Sequence, residues 1–167
     1  MFTGKTVWKG HFLETVVVGR LEYVRRTHGI GAAVILALTE ADEIVLVEQY
    51  RVPLGARCLE LPAGLVGDDG PEEVLTAARR ELEEETGFRA ETVEDMGVFT
   101  SSPGLTSEHF TLVRAKGLVR VGPGGGVDSE DIAVHCVPLQ TLPDFIAEKR
   151  RAGVMIDVRL LAAMTLP

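Results

Sequence analysis

ARRELEEETGF, residues 78–88, is the stretch from which the fold can be read outward. As a helix it puts Glu81, Glu84 and Glu85 at i, i+3 and i+4, so three carboxylates share one face. Leu75, Ala78 and Leu82 fall on an adjoining face suited to a core, while Arg79 and Glu83 point the other way. Gly87 is placed to stop the helix, and Pro71 to sit in its first turn, where a missing N–H costs nothing. A helix over about 71–86 follows. Carboxylates at this spacing repel by a few tenths of a kcal/mol per pair when exposed. The run is therefore either a solvated acidic face or a set of oxygen ligands for a divalent cation, and its flanks decide which.

Upstream, AAVILAL (32–38) is a continuous apolar run, consistent with a strand buried on both faces. Glu40 to Glu43 makes a turn and IVLVEQY (44–50) returns as a β-branched strand, so the two read as a hairpin at the centre of a sheet. Residues 51–71, punctuated by Pro53, Gly55, Pro62, Gly64, Gly67, Gly70 and Pro71, read as loop. Before them, residues 5–27 read as short strands turned at Gly10 and at Gly19-Arg20. This element, residues 1–28, is too small to bury much alone and should pack on the main domain, 29–167, or on a second subunit. Downstream come strands at 96–101 and 109–118, a glycine-rich acidic loop at 122–131, a strand at 132–139, and short helices near 143–152 and 157–165. The order implies an α/β (α+β) fold, an α/β/α sandwich around a mixed sheet.

A chain of 167 residues is most economically one domain with a small appended element. Its net charge of -8 argues against a general nucleic-acid or anionic-membrane binder. An anionic substrate would then need metal ions and local arginines to offset that charge. Cys58 and Cys136 form no metal-type or redox-type spacing, and no apolar segment is long enough to span a bilayer, so a cytoplasmic protein is expected.

At ARRELEEETGF the chain resembles the Nudix hydrolases, whose box runs Gly-x5-Glu-x7-Arg-Glu-U-x-Glu-Glu-x-Gly-U, U being a bulky aliphatic or aromatic residue. Arg80 to Phe88 match its second half at every specified position, and Glu72 stands where the earlier Glu belongs. The box glycine is displaced: Val66 occupies its place, which reads as a loop two residues longer between Gly64 and Glu72. The resemblance implies hydrolysis of a nucleoside diphosphate linked to another moiety, with Mg2+ (or Mn2+) as cofactor. It implies a metal site at Glu81, Glu84, Glu85, Glu130 and the Ala63 carbonyl, with Arg80 orienting the glutamates. A catalysis-free ligand sensor on the same fold is the contrasting class, and the intact acidic set argues against it.

Three further stretches resemble the ADP-ribose pyrophosphatase (ADP-sugar diphosphatase) branch: Val47 to Gly64, Ser102 to Glu108, and Asp128 to His135. Pro103, sixteen residues beyond Gly87, matches a mark of that branch. The resemblance implies that Arg51 and Arg26 bind substrate, with Glu108, Pro103 and Gly104 around it, Arg26 coming from the N-terminal element of a partner subunit in a homodimer. It places the general base at Glu130 or Asp128, Glu130 serving as base or as metal ligand. Leu21 stands where the branch carries a tryptophan stacked on adenine. ADP-ribose, split into AMP and ribose 5-phosphate, is thus the leading substrate, and another nucleoside diphosphate sugar, GDP-mannose or ADP-glucose, the alternative. Trp8 and Phe12 are expected in a core or in strand pairing, and His11, His28, His109 and His135 as structural.

Overall fold

In the computed structural model, which describes residues 4–28, 31–67, 70–127 and 130–165, the two apolar runs become central strands of two different sheets. Strand β4 (Gly31–Ala37) lies between β7 (Ala63–Val66), antiparallel, and β9 (His109–Arg120), parallel; β8 (Phe88–Thr100) closes the outer edge of β9. Strand β5 (Glu43–Arg51) lies between β10 (Ala133–Pro138) and β6 (Ala56–Glu60), and the short β11 (Met155–Ile156) runs parallel to β6. The hairpin expected of 32–38 and 44–50 is therefore corrected. A single bridge, Leu38 to Ile44, joins the runs at their turn, and they then part. Each is apolar on both faces and takes a central place with neighbours of its own.

Successive residues of β4 face opposite ways and supply two cores. Ala33, Ile35 and Ala37 pack with Val45, Val113, Ala78 and Leu82, the last two from helix α1 (Val74–Thr86). Val34 and Leu36 pack on the other side with Ile44, Leu46, Leu59 and Leu61. Leu142 of α2 (Leu142–Arg151) and Leu160 of α3 (Val158–Ala163) close that side, so helices cover mixed β structure on both faces. The expected α/β/α layering is borne out.

The 51–71 region is not all loop. After one 3₁₀ turn (Val52–Leu54) it forms β6 and β7, whose residues are too few and too mixed to show a period of two. Helix α1 begins at Val74 rather than Pro71: Glu73 keeps an extended backbone and its carbonyl accepts from the N–H groups of Thr76 and Ala77. Gly87, with φ 72°, ends the helix as expected, its N–H donating to the Glu83 carbonyl. Strand β8 starts directly after it, eight residues earlier than expected, because Phe88 and Ala90 return their side chains to the α1 core.

Strands β1 (Lys5–Lys9), β2 (Leu13–Val18) and β3 (Leu21–Arg26) form a separate antiparallel sheet. It attaches to the rest through β3, where the Val24 N–H donates to the Leu105 carbonyl (2.9 Å) and the Ser107 N–H to the Val24 carbonyl (3.0 Å). Trp8 pairs within β1–β2 but leaves its side chain 58% exposed, and Phe12 sits in the following turn at 70%; neither is a core residue.

Candidate functional site

Where β7 crosses the face of α1, backbone and helix carboxylates meet. A Cβ on Gly64 would lie 1.9 Å from the Glu81 Cδ, so only glycine lets β7 pass this close to the helix. One residue earlier, the Ala63 N–H donates to Glu85 Oε2 at 3.0 Å. Glu85 is 6% exposed, and burial pushes its carboxyl up to about 8, the nearby Glu81 and Glu130 charges adding to the rise against the pull of the Ala63 hydrogen bond. Arg80 braces this face from its edge. It donates to Glu81 (2.8 Å), Glu84 (3.1 Å) and both oxygens of Glu72 (3.2 and 3.3 Å), and these bonds, Glu72 first, hold its guanidinium more firmly charged than usual. The expected loop over 65–71 is corrected in part: Leu65 and Val66 belong to β7, and Gly67, with φ 82°, turns the chain away.

The glycine-rich loop is docked on the end of α1. Gly125 donates to the Glu85 carbonyl (2.8 Å) and Gly126 to that of Glu84 (3.1 Å), satisfying acceptors that a helix C-terminus leaves open. A Cβ on Gly124 would meet the Thr86 carbonyl carbon at 2.4 Å. The loop thereby carries Glu130 to the helix carboxylates, with the Val127 N–H donating to Glu130 Oε2 (2.9 Å). Asp128 lies outside the described residues.

These groups line a cavity of about 460 Å³. Glu81, Glu85, Ala63 and Gly64 come from the α1–β7 corner, and Glu130 from the loop. Arg26 of β3 and Arg51 at the end of β5 line it as well, with Glu108 and with Arg159 of α3. Each arginine is held through its Nε–Nη2 edge. Arg51 grips the buried Glu60 at 2.7 and 2.8 Å, Arg26 grips Glu108 at 2.9 and 2.7 Å, and Arg159 grips Asp157. Carboxylates and guanidiniums on one cavity suit an anionic substrate brought together with a cation.

The NUDIX domain family matches residues 27–157. The chain belongs to the Nudix family. It is 42% identical over 123 residues to a methanol dehydrogenase activator of Bacillus methanolicus, an alignment covering 72% of this chain and 64% of that protein. It is 32% identical over 139 residues to the ADP-ribose pyrophosphatase of Saccharomyces cerevisiae, covering 79% of this chain and 59% of the relative. It is 34% identical over 139 residues to the GDP-mannose pyrophosphatase of Cronobacter sakazakii, covering 78% and 69%. The chain thus spans less than two thirds of the length of the first two of these relatives. Among solved structures it is similar to an ADP compounds hydrolase, with a TM-score of 0.68, 27% identity, and 87% of this chain and 80% of that one covered.

Nudix hydrolases generally use a divalent metal. The donors of this Nudix cavity fit one: they are oxygens only, as hard cations prefer, and Glu85 is a buried carboxylate that a cation would relieve of its desolvation cost. Among the described residues no three acidic, histidine or cysteine side chains close on a single point; the carboxylates that could hold a cation stand apart around the cavity.

Of the residues singled out in the sequence, Glu81, Glu85, Ala63, Glu130, Arg26, Arg51 and Glu108 come together here. Arg80 and Glu84 stand at the margin, joined to Glu81 through Arg80. Pro103 and Gly104 do not reach the cavity. They form an exposed turn closed by Leu105 donating to Ser102, and the residues after that turn bring Glu108 to Arg26. Arg26 lines the cavity within its own chain. Glu60 and Arg159 were not foreseen. A Glu inside a short strand and an Arg in a C-terminal helix carry no local signal of a site; only the ion pair across 99 residues joins them.

The expected structural histidines include His135, whose Nε2 lies 3.2 Å from Glu48, with Lys149 and Phe145 against it. Burial, with the Lys149 charge, holds its imidazole below the usual range. Among the described residues no helix is long and apolar enough to cross a membrane.

Proposed function

We propose that this chain hydrolyses the pyrophosphate bond of a nucleoside diphosphate sugar, with ADP-ribose, split into AMP and ribose 5-phosphate, as the leading substrate. The observation that carries this reading is the single cavity shared by Glu81, Glu85 and Glu130 with Arg26 and Arg51. A diphosphate carries charge that guanidinium forks match with paired hydrogen bonds. Arg51 and Arg26, each backed by a carboxylate, hold those oxygens. Glu81, Glu84, Glu85, Glu130 and the Ala63 carbonyl hold Mg2+ (Mn2+ as a substitute), which when bound neutralises phosphate charge and lowers the pKa of a coordinated water. Glu130 or Asp128 takes a proton from the attacking water. The water oxygen bonds to phosphorus as the bridging P–O bond breaks, and two monophosphates leave. Arg80 keeps Glu81 and Glu84 oriented and does not touch substrate.

A second reading is another nucleoside diphosphate sugar, GDP-mannose or ADP-glucose; Leu21 favours the first of these, since ADP-glucose carries the same adenine as ADP-ribose. Leu21 is 70% exposed and offers no π face on which adenine could stack. The similarity to a GDP-mannose pyrophosphatase supports the same reading.

The N-terminal element, residues 1–28, serves a homodimer in this proposal: among its described residues Val7, Trp8, Phe12 and Leu21 are all more than half exposed. Two free cysteines suit a cytoplasmic setting, and a net charge of -8 a partner other than nucleic acid or membrane. The decisive assay incubates the protein with Mg2+ or Mn2+ and ADP-ribose, ADP-glucose or GDP-mannose, and separates the products by ion-exchange chromatography. AMP and ribose 5-phosphate from ADP-ribose are expected; no turnover of any of the three would end the enzyme proposal.

A further inference from the structure

Arg159 lies two residues beyond the segment matched by the NUDIX family, yet it lines the same cavity as Arg51. Two carboxylates fix it. Asp157 accepts from its Nε at 2.8 Å and from Nη2, and the buried Glu60 accepts from Nη2 at 3.4 Å. Asp157 also accepts from the Arg159 backbone N–H (2.8 Å), so the first turn of α3 is built around this guanidinium. The guanidinium carbon stands 5.8 Å from the centre of the Phe110 ring.

Glu60 is the common element. Its two oxygens take both edge nitrogens of Arg51, and one of them also takes Arg159. Both guanidiniums are thus oriented from behind by the same buried carboxylate, which is 2% exposed. In both, Nη1 has no hydrogen-bond partner among the described residues. Both arginines line the cavity, so each brings to it a guanidinium with one nitrogen free of partners among the described residues. An oriented fork has already lost the side-chain freedom that binding an anion would otherwise cost.

We propose that Arg159 is a phosphate-binding residue that works beside Arg51 on the diphosphate, with Glu60 as the positioning residue for both and α3 as part of the substrate site. The substrate class rests on the proposed function above; the anion-binding role does not, because it concerns equilibrium binding of a diphosphate.

The test measures binding of ADP, and of adenosine as a probe without phosphate, by calorimetry with Mg2+ present. Wild type, Arg159→Gln and Arg159→Lys are compared, alongside their KM and kcat for ADP-ribose. Arg159→Gln should weaken ADP binding tenfold or more, leave adenosine binding unchanged and raise KM more than it lowers kcat. Arg159→Lys, which keeps the charge and loses the fork, should fall between. Unchanged ADP affinity in Arg159→Gln overturns the proposal. So does an equal loss for ADP and adenosine in both variants, which would mark Arg159 as a structural residue. If wild-type protein binds ADP in an Arg159-dependent way but hydrolyses no nucleotide sugar, the inference stands and the functional reading falls.

Discussion

The two acidic contributors to the cavity, helix α1 and the loop that ends at Glu130, are built in opposite ways. On α1 the carboxylates are fixed by packing. Glu85 is buried under β7, Glu81 lies against the bare backbone of Gly64, and Arg80 ties Glu72, Glu81 and Glu84 into one network. Glu130 is exposed, and its described hydrogen bonds run to Val127 of its own loop. Yet the loop is not independent of the helix, since Gly125 and Gly126 cap the carbonyls of Glu85 and Glu84. The packed wall thus fixes where the exposed acid is anchored. A cation site needs ligands within a few tenths of an ångström, while an acid that meets a moving proton gains from freedom to approach.

Four substitutions would break or sharpen that contrast, the strongest first. Glu85→Gln should lower kcat by about a thousandfold or more, as loss of a group acting directly on the reaction does. It should at the same time stabilise the metal-free fold at high pH. The folded carboxyl titrates at about 8 against an ordinary 4.5. The native state therefore keeps a proton that the unfolded state has lost, and wild-type stability falls as pH rises through this window. Gln does not titrate, so the gap in its favour should be absent below the ordinary value and widen by roughly 1.4 kcal/mol per pH unit until the folded value is passed. Thermal unfolding in chelator across pH reads this directly; a constant gap would refute the burial argument. In excess Mg2+ the gap should shrink or reverse, since cation binding favours the wild-type carboxylate.

Gly64→Ala is next. The new Cβ overlaps Glu81 Cδ, and the helix carboxylate must move to admit it. Activity should drop about a hundredfold, with stability falling by about 1–3 kcal/mol from overpacking. Kinetics and denaturant melts on one preparation separate the two losses. If activity held, Glu81 would not be needed where it stands.

Gly124→Ala addresses the loop. It combines a positive φ of 70° with a clash against Thr86, so the docking on the helix end should loosen. A fall in kcat of about tenfold, with KM little changed, is expected if the loop's role is to present Glu130. Full activity would mean that Glu130 reaches the cavity without this tether.

The smallest effect is expected from Arg89→Ala, which removes the exposed pair with Glu83 on the outer face of α1 (2.8 Å). Such exposed pairs add little to stability, and among the described residues no hydrogen bond joins this side-chain pair to the cavity. A change in kcat beyond about twofold would show that the far side of the helix is coupled to the site.

Helix α1 was legible because its signals are local. The period of 3.6 groups Glu81 with Glu84 and Glu85, and Gly87 takes the left-handed conformation that ends the helix. The runs 32–38 and 44–50 were legible as strands for the same reason: continuous apolar side chains need cover on both faces wherever they are placed. Which strands cover them is not written in either run, and a hairpin was the wrong choice. Pairing depends on competition among all the strands, and β6, β7 and β11 were too short or too mixed to be counted among the competitors.

In the site, the helix carboxylates, Arg51, Arg26, Glu108 and Glu130 could be named from sequence pattern and resemblance. The glycines could not be given their purposes. Gly64 matters because Glu81 occupies the space of its missing side chain, and Gly124 to Gly126 because a helix end lies beneath them. The sequence by itself determined the chemistry available: oxygen ligands at helical spacing, and arginines for an anion. Only the tertiary structure decided that Glu85 is buried, that Glu60 backs Arg51 and Arg159 together, and that the last helix reaches the cavity. Burial and long-range ion pairing depend on what other parts of the chain remove from water, and no local window of residues contains that information.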